Sequence, residues 1–381
     1  MVARGAGDVG CAHCTRFGAN TTCPICALQV CPDCAADWTT CNEPSGRIVR
    51  LGLTARLRDV DPTGRLGLVS HWRQPLRLFD LRRLRWIRGI ELSRLLWLLA
   101  RSAPPRLTGD GHLMHGEWEA GTGYERDEPT IFRGIRALSL AGDTSPLVEC
   151  RGDAPQRGTA VTASGDVFYY VGATERVVAL PRGAYKPWRL EPLPRKVIQA
   201  AHLAGEGDLL ASASWCELAL HDVAGGRITL IWRGKPDAIG DVRWIAVAGE
   251  WLAYAVITPG GGVHVEVRRL ERGEPVGRVV HRHAASAFRA ASLSRDGRYL
   301  ALALDDHLLV HELGTDRVAQ FREHTDRINL VRFAADHLLI TADTDNRVVL
   351  RPRTPTGYAR ALVAIDVPAE GVELPAFATE P

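Results

Sequence analysis

The chain has 381 residues, with 47 Lys+Arg against 44 Asp+Glu, 46% apolar and 24% charged residues. That composition belongs to a folded globular protein and excludes a disordered or collagen-like one. A formal charge of +3 supplies no general field for a polyanion, so nucleic acid is not the expected partner.

The N-terminal MVARGAGDVGC lacks the apolar core of a secretory signal. The longest apolar run, Leu95–Ala100, falls far short of the ~20 residues that a spanning helix needs. No membrane segment is therefore expected. A cytoplasmic location with reduced thiols follows.

Residues 1–10 read as a flexible start, and residues 11–45 as a small metal-binding module. Seven of the nine cysteines lie between Cys11 and Cys41: the pairs Cys11/Cys14, Cys23/Cys26 and Cys31/Cys34, then Cys41. A C-x2-C turn lets two thiolates converge on one ion, and Zn²⁺ takes four such ligands at about 2.3 Å. Disulfides fit poorly, because the number is odd, the compartment is reducing and residues three apart bridge badly. A redox C-x2-C needs a helix start after a strand, and that context is absent. The short spacers favour interleaving. The first and third pairs would hold one zinc, and the second pair with Cys41 would hold another. The eighth ligand is left among Asp37, Glu43 and His13, with Asp37 preferred. A single zinc on Cys11, Cys14, Cys31 and Cys34 is the alternative. Sites filled by thiolates are structural, and so short a segment needs its metal to fold.

This order of pairs resembles the B-box type of zinc finger over residues 11–43. The end departs from it, with Cys41 standing where B-boxes place two histidines.

Residues 46–366 change character. Short alternating strands recur between turns, with little helix periodicity. The turns Asp61-Pro62-Thr63-Gly64 and Ser294-Arg295-Asp296-Gly297 put a short acceptor at the first corner and Gly at the last. Weaker equivalents are read at Thr108–Gly111, Thr162–Gly165, Ala204–Asp208, Ala248–Glu250 and Ala334–Asp336. Their starts are 40 to 54 residues apart, the period of a four-stranded propeller blade. Seven blades are expected at about 47–88, 89–151, 152–194, 195–236, 237–283, 284–323 and 324–366. Either Arg47–Leu51 or Arg360–Asp366 would supply the outermost strand of the last. The run Arg82–Arg88 is expected as an outer strand of the first blade, and Glu119–Pro129 as an exposed insertion. Residues 367–381 read as a flexible tail.

Leu78-Phe79-Asp80-Leu81, Leu220-His221-Asp222-Val223 and Val310-His311-Glu312-Leu313 end third strands where WD repeats carry Trp-Asp. On these steps and the SPDG-like turns, residues 47–366 resemble the WD-repeat family. No third strand has the Trp; Phe79, His221, His311 and Arg351 stand there instead. The resemblance places His324 as the family's Gly-His histidine, with Thr341 and Asp345 as its hydrogen-bonding partners. It also assigns Asp305, Asp306, Asp343 and Asp345 to turns, bonding backbone N–H groups.

Catalytic motifs are missing: no G-x-S-x-G elbow, P-loop, G-x-G-x-x-G after a strand or H-E-x-x-H. His112, His115 and Glu117 read as an exposed turn. His281 and His283 would share one strand face or sit in a loop. Cys150 and Cys216 read as inert thiols.

The fold class expected is all-β, a seven-bladed WD-repeat-like propeller preceded by a small zinc module. The two resemblances imply a non-enzymatic scaffold docking other proteins. Bacterial WD-like propellers serve in multi-component systems with an AAA+ ATPase and a von Willebrand A-domain protein, which offers partners by analogy. The alternatives are a ubiquitin-ligase-like adaptor, and a hydrolase or lyase at the channel mouth.

Overall fold

The structure is a computed structural model. It describes Thr21–Thr22, Gln29–Val30 and, with gaps in several loops, residues 46–367. Between 88 and 203 the description is of backbone strands, with the Leu107 and Leu113 side chains. The described residues are strands and turns, with no helix among them. No described helix is long and apolar enough to cross a membrane.

The sheets follow one another along the chain. Sheet 1 consists of Arg56–Val60, Leu66–Ser70, Arg77–Asp80 and Arg85–Ile87. Sheet 2 consists of Arg106–Leu107, His112–Glu119, Ile131–Ser139 and Val148–Gly152. Sheet 3 takes Thr159–Val161, Val167–Val171, Arg176–Leu180 and Trp188–Pro192. Sheet 4 takes His202–Glu206, Leu209–Ala213, Leu218–Asp222 and Thr229–Gly234. Sheet 5 is built from Asp241–Ala248, Trp251–Ile257, Val263–Glu271 and Glu274–His283. Sheet 6 is built from Phe288–Leu293, Tyr299–Leu304, His307–Glu312 and Val318–Phe321. Each of the six is an antiparallel meander of neighbouring strands.

Sheet 7 breaks the rule. Ile328–Ala334, Leu338–Asp343 and Arg347–Thr354 form its own meander, with Gly357–Tyr358 folded back on the third strand. Its fourth strand comes from the far end of the chain. Gly46–Arg50 pairs antiparallel with the third strand, Arg47 opposite Leu350 and Arg50 opposite Arg347. Ala361–Asp366 then pairs with Gly46–Arg50 in parallel, as a fifth strand. Both candidate terminal strands are therefore used, where the sequence offered a choice between them. The reason is that antiparallel and parallel partners occupy opposite edges of the same strand.

The first strands of neighbouring sheets lie against one another from sheet 3 through sheet 7, then from sheet 7 to sheet 1 and from sheet 1 to sheet 2. Cores fill the spaces between sheets. Val49, Leu51, Leu57, Val60 and Phe79 pack against Leu338, Ile340, Val348 and Leu350, joining sheet 7 to sheet 1. Tyr299, Leu308 and Val310 meet Ile328, Val331 and Leu339 between sheets 6 and 7. Similar layers join sheets 4 and 5, 5 and 6, and 1 and 2. Strands buried on both faces are continuous apolar runs, as in Tyr299–Leu304, which reads YLALAL.

Turn chemistry explains the connections. Gly64 N donates to Asp61 O at 2.9 Å, and Gly297 N to Ser294 O at 2.9 Å. Both glycines have φ near +65 to +70°, a region unfavourable to a side chain. Asp61 and Ser294 also accept from the backbone N–H of Leu66 and Tyr299. One turn expectation is corrected. Ala204, Gly205 and Glu206 belong to the strand His202–Glu206, with Gly205 opposite Leu210. The polar Gly and Asp that suggest a turn there begin at the strand's last residues.

The two-stranded ribbon pairs Thr21 with Val30 and Thr22 with Gln29. Its connecting sequence holds Cys23 and Cys26.

Leu51 is fully buried between sheets 7 and 1, beside the strand that joins the chain's ends. Leu51→Ala is expected to lower stability by about 2–5 kcal/mol, read as a lower urea midpoint at unchanged slope.

Candidate functional site

The junction of sheets 6 and 7 gathers the charged groups. His324 precedes the first strand of sheet 7, Thr341 and Asp343 lie on the second, and Arg351 on the third. The His324, Asp343 and Arg351 side chains are 0% exposed. Arg351 Nη1 donates to Thr341 Oγ1 at 3.0 Å. The Thr341 hydroxyl hydrogen is then offered to His324 Nε2, 2.7 Å away. That fixes the imidazole proton on Nδ1, which donates to Asp343 Oδ2 at 3.0 Å. Asp343 Oδ1 accepts the backbone N–H groups of Asp345 and Arg347, both at 3.0 Å. One chain of hydrogen bonds thus ties two strands, the turn between them and the segment that leads into the first strand.

Asp343 is the histidine's partner, which corrects the expectation of Asp345. Asp345 is exposed and reached by Thr325 Oγ1 at 3.4 Å. Residues two apart share a strand face, and Asp343 continues the face of Thr341 whereas Asp345 lies beyond the strand end.

Arg351 places a charge at the buried third-strand position. Its Nη2 donates to Glu323 Oε2 at 2.9 Å, and its guanidinium lies 4.7 Å from the Phe321 ring centre. Glu323 also accepts from Ala361 N at 3.3 Å, at the start of the fifth strand. Burial pushes the Glu323 carboxyl up, yet the Arg351 ion pair and these hydrogen bonds outweigh it and hold the group below its usual range. Burial lowers the His324 imidazole against the pull of Asp343, so it is neutral near pH 7. Glu323 went unrecognised in the sequence. The signal was Arg351 itself, since a buried guanidinium calls for a carboxylate.

Sheet 4 repeats the geometry with other residues. His221 Nε2 lies 3.4 Å from Ser212 Oγ, while Nδ1 has no hydrogen-bond partner among the described residues. Burial lowers this imidazole from 6.5 to about 4. A second polar cluster lies between sheets 4 and 5. Tyr254 donates to the buried Glu266, Arg268 Nη2 donates to the same oxygen at 3.0 Å, and Asp237 lies 3.6 Å from Arg268. His264, Glu266 and Arg268 alternate along one strand face, a pattern visible in VHVEVRRL.

The remaining expectations fall as follows. His112 and His115 stand on a strand, opposite Ser139 and Arg136, and not in a turn; eight consecutive residues pair there. His281 and His283 are on one strand, opposite Val265 and Val263. Arg85–Ile87 is the outer strand of sheet 1, and Arg82 and Arg83 donate backbone N–H groups to Asp80 in the preceding turn. Asp305 and Asp306 form a turn, with Asp306 bonded to His307. Cys150 lies on the strand Val148–Gly152. Cys11, Cys14, Cys23, Cys26, Cys31, Cys34, Cys41, Asp37, Glu43, His13 and Cys216 lie outside the described residues, as do 1–10 and 368–381. Among the described residues there is no group of three or more His, Cys, Asp or Glu placed to hold a metal ion.

A groove of about 750 Å³ opens beside the Arg351–Glu323 pair, between Val318–Glu323 of sheet 6 and Tyr358–Ala361 of sheet 7. No protein-family model matches the chain, and no curated protein matches it.

Replacing Arg351 alone leaves the Glu323 carboxylate unpaired and opens the network. Arg351→Met is expected to lose about 3–5 kcal/mol at pH 7, and Glu323→Gln added to it should recover part. Urea unfolding of the single and double variants measures both. A depressed histidine pKa makes the unfolded chain bind more protons below 6.5. Stability owed to neutral His221 is therefore complete above pH 6.5 and is lost as pH falls towards about 4. His221→Phe should flatten that window, by up to about 3 kcal/mol, in unfolding curves taken across it.

Proposed function

We propose that the chain is a non-catalytic scaffold that docks partner proteins on a seven-bladed, WD-repeat-like β-propeller carrying a structural zinc module. The observation that carries the reading is the order of sheets: each strand group follows its predecessor, while Gly46–Arg50 enters the last sheet. A ring closed by a strand from its other end has that connectivity, and closure removes the sheet edges along its path. Contact between the first strands of sheets 7 and 1 supports it.

The polar groups support a holding role over a chemical one. His324 and Asp343 are fully buried and occupied in tying strands together. The order Thr341–His324–Asp343 is that of a hydroxyl, a base and an orienting carboxylate, but all three are buried, where a substrate does not reach. Exposed turns on a stiff frame are the usual seats of partner contacts. A multi-component assembly with an AAA+ ATPase and a von Willebrand A-domain protein remains the partner class proposed, by analogy with bacterial WD-like propellers.

For the module, seven cysteines in residues 11–41 supply soft thiolate ligands for one or two Zn²⁺ ions, with Asp37 completing the second set. The ribbon whose connection carries Cys23 and Cys26 is a hairpin of the kind that C-x2-C ligand pairs occupy. Zinc would supply on the order of 10 kcal/mol to a segment too small to fold without it.

Metal analysis of purified protein should return one or two zinc ions per chain. Cys14→Ser and Cys34→Ser should each lower that content while leaving the cooperative unfolding of residues 46–366 in place. Absence of zinc from the wild type sinks the module. Loss of the main transition in both variants sinks the separation of the two parts.

A further inference from the structure

Sheet 7 has a fifth strand, Ala361–Asp366, and sheet 6 stops at its fourth, Val318–Phe321. The groove beside Arg351 and Glu323 is the space that this difference leaves. One wall is an unextended strand edge; among the described residues no strand pairs with it.

The direction of its backbone groups follows from one bond. Glu312 N donates to Arg317 O at 3.0 Å, so Arg317 is turned inward, towards His307–Glu312. Alternation turns Ala319 and Phe321 inward as well, and leaves the N–H and C=O of Val318 and Gln320 facing the groove. Phe321 and Tyr358 are buried along the groove's lining, while Val318 is 50% exposed.

Natural edge strands are commonly blunted by charges on the strand itself. Val318–Phe321 carries none. The charges stand beside it and across from it: Arg322 just after and Arg360 on the opposite wall, both exposed, while Arg317 just before pairs with Glu312 at 3.8 Å. The one carboxylate lining the groove among the described residues, Glu323, is bound by Arg351 and Ala361 N. The free side of the groove therefore carries two arginines, Arg322 and Arg360, beside an otherwise uncharged strand edge.

We propose that this edge binds an extended acidic segment of a partner protein, which adds to Val318–Phe321 as a fifth strand of sheet 6. Backbone pairing to Val318 and Gln320 supplies the affinity, and carboxylates near Arg322 and Arg360 supply the selection. The inference rests on the docking role and gives it a surface and a partner chemistry. It needs only the packing of sheets 6 and 7, and not the closure of a ring.

The test uses the full chain and two short fluorescein-labelled peptides, one alternating valine with glutamate and one alternating valine with lysine, followed by fluorescence anisotropy. Gln320→Pro removes an N–H that faces the groove and takes no part in the ladder to His307–Glu312, a place where a strand tolerates proline. Arg360→Glu reverses a charge without touching backbone. The glutamate peptide should bind the wild type, with affinity at least tenfold weaker in each variant, and the lysine peptide should not bind. Failure of the wild type to bind the glutamate peptide overturns the proposal. So does equal binding by both variants, or equal binding of the two peptides. Should Gln320→Pro melt differently from the wild type, Arg360→Glu alone decides. Zinc content and the main unfolding transition are read on the same samples. Normal values there with no peptide binding strike this edge and not the scaffold.

Discussion

The architecture depends on the pairing of Gly46–Arg50 with the third strand of sheet 7. It joins residues some three hundred positions apart, and closing so long a loop costs roughly 5 kcal/mol beyond a constant. Local propensity cannot meet that cost. Burial can: Val49 and Leu51 are fully buried, and each such side chain contributes about 1.5–3 kcal/mol. Ala361–Asp366 then covers the outer edge of Gly46–Arg50, and Val367 N donates to Arg50 O at 3.0 Å. The strand that unites the two ends is thus paired on both sides. Contacts this distant in sequence form late and slowly, so sheets 2 to 6 can assemble as local meanders before sheets 7 and 1 are joined.

Neighbouring sheets are stitched by more than apolar layers. The buried Asp59 in sheet 1 accepts the N–H of Leu107 in sheet 2 at 2.8 Å. Ser292 in sheet 6 accepts the N–H of Phe333 in sheet 7 at 3.0 Å. Both acceptors sit two residues before the first corner of their turn. A first strand against another first strand leaves backbone N–H groups that its own sheet cannot use, and a short acceptor one sheet back satisfies them. Arg353 adds an ion pair to Asp296 at 2.8 Å, from the third strand of sheet 7 to the turn of sheet 6. Sheets 6 and 7 are thus joined by two such links, and the groove lies at their junction.

Turns were the most legible part of the sequence, because Asp61–Gly64 and Ser294–Gly297 carry their own stereochemistry. Sheets 3 to 6 and the meander of sheet 7 lie within the spans expected from the turn period, whereas sheets 1 and 2 begin at Arg56 and Arg106, nine and seventeen residues after the expected starts. Pairing partners were not legible. GRIVR and ALVAID both read as strands, and nothing local tells a strand which neighbour it will meet or in which direction. Asp343 and Asp345 have the same side chain two positions apart, so only the end of the strand separates a buried hydrogen-bond partner from a surface residue. Glu323 looks like any exposed acid until Arg351 is placed opposite it. The cysteines of residues 11–41 lie in a part of the chain that is read from sequence only.

The third-strand position shows how one place in a repeated sheet accepts unlike side chains. Phe79, His221, His311 and Arg351 each stand opposite the second-strand residue two before a common diagonal site. That site holds Val69, Ser212, Leu302 and Thr341 in turn. Where it is a hydroxyl, the third strand reaches it: His221 to Ser212 and Arg351 to Thr341. Where it is Val69, the third strand carries a ring that packs edge-on against Trp86 at 5.1 Å. Volume is the common requirement, since each side chain fills the space between two sheets. Polarity is optional. Arg351 brings the largest demand and has the largest answer, a hydroxyl, a carboxylate and an aromatic face. Its carboxylate also engages the fifth strand through Ala361. The charge that replaces an aromatic in sheet 7 thereby fastens the one sheet that must hold both ends of the chain.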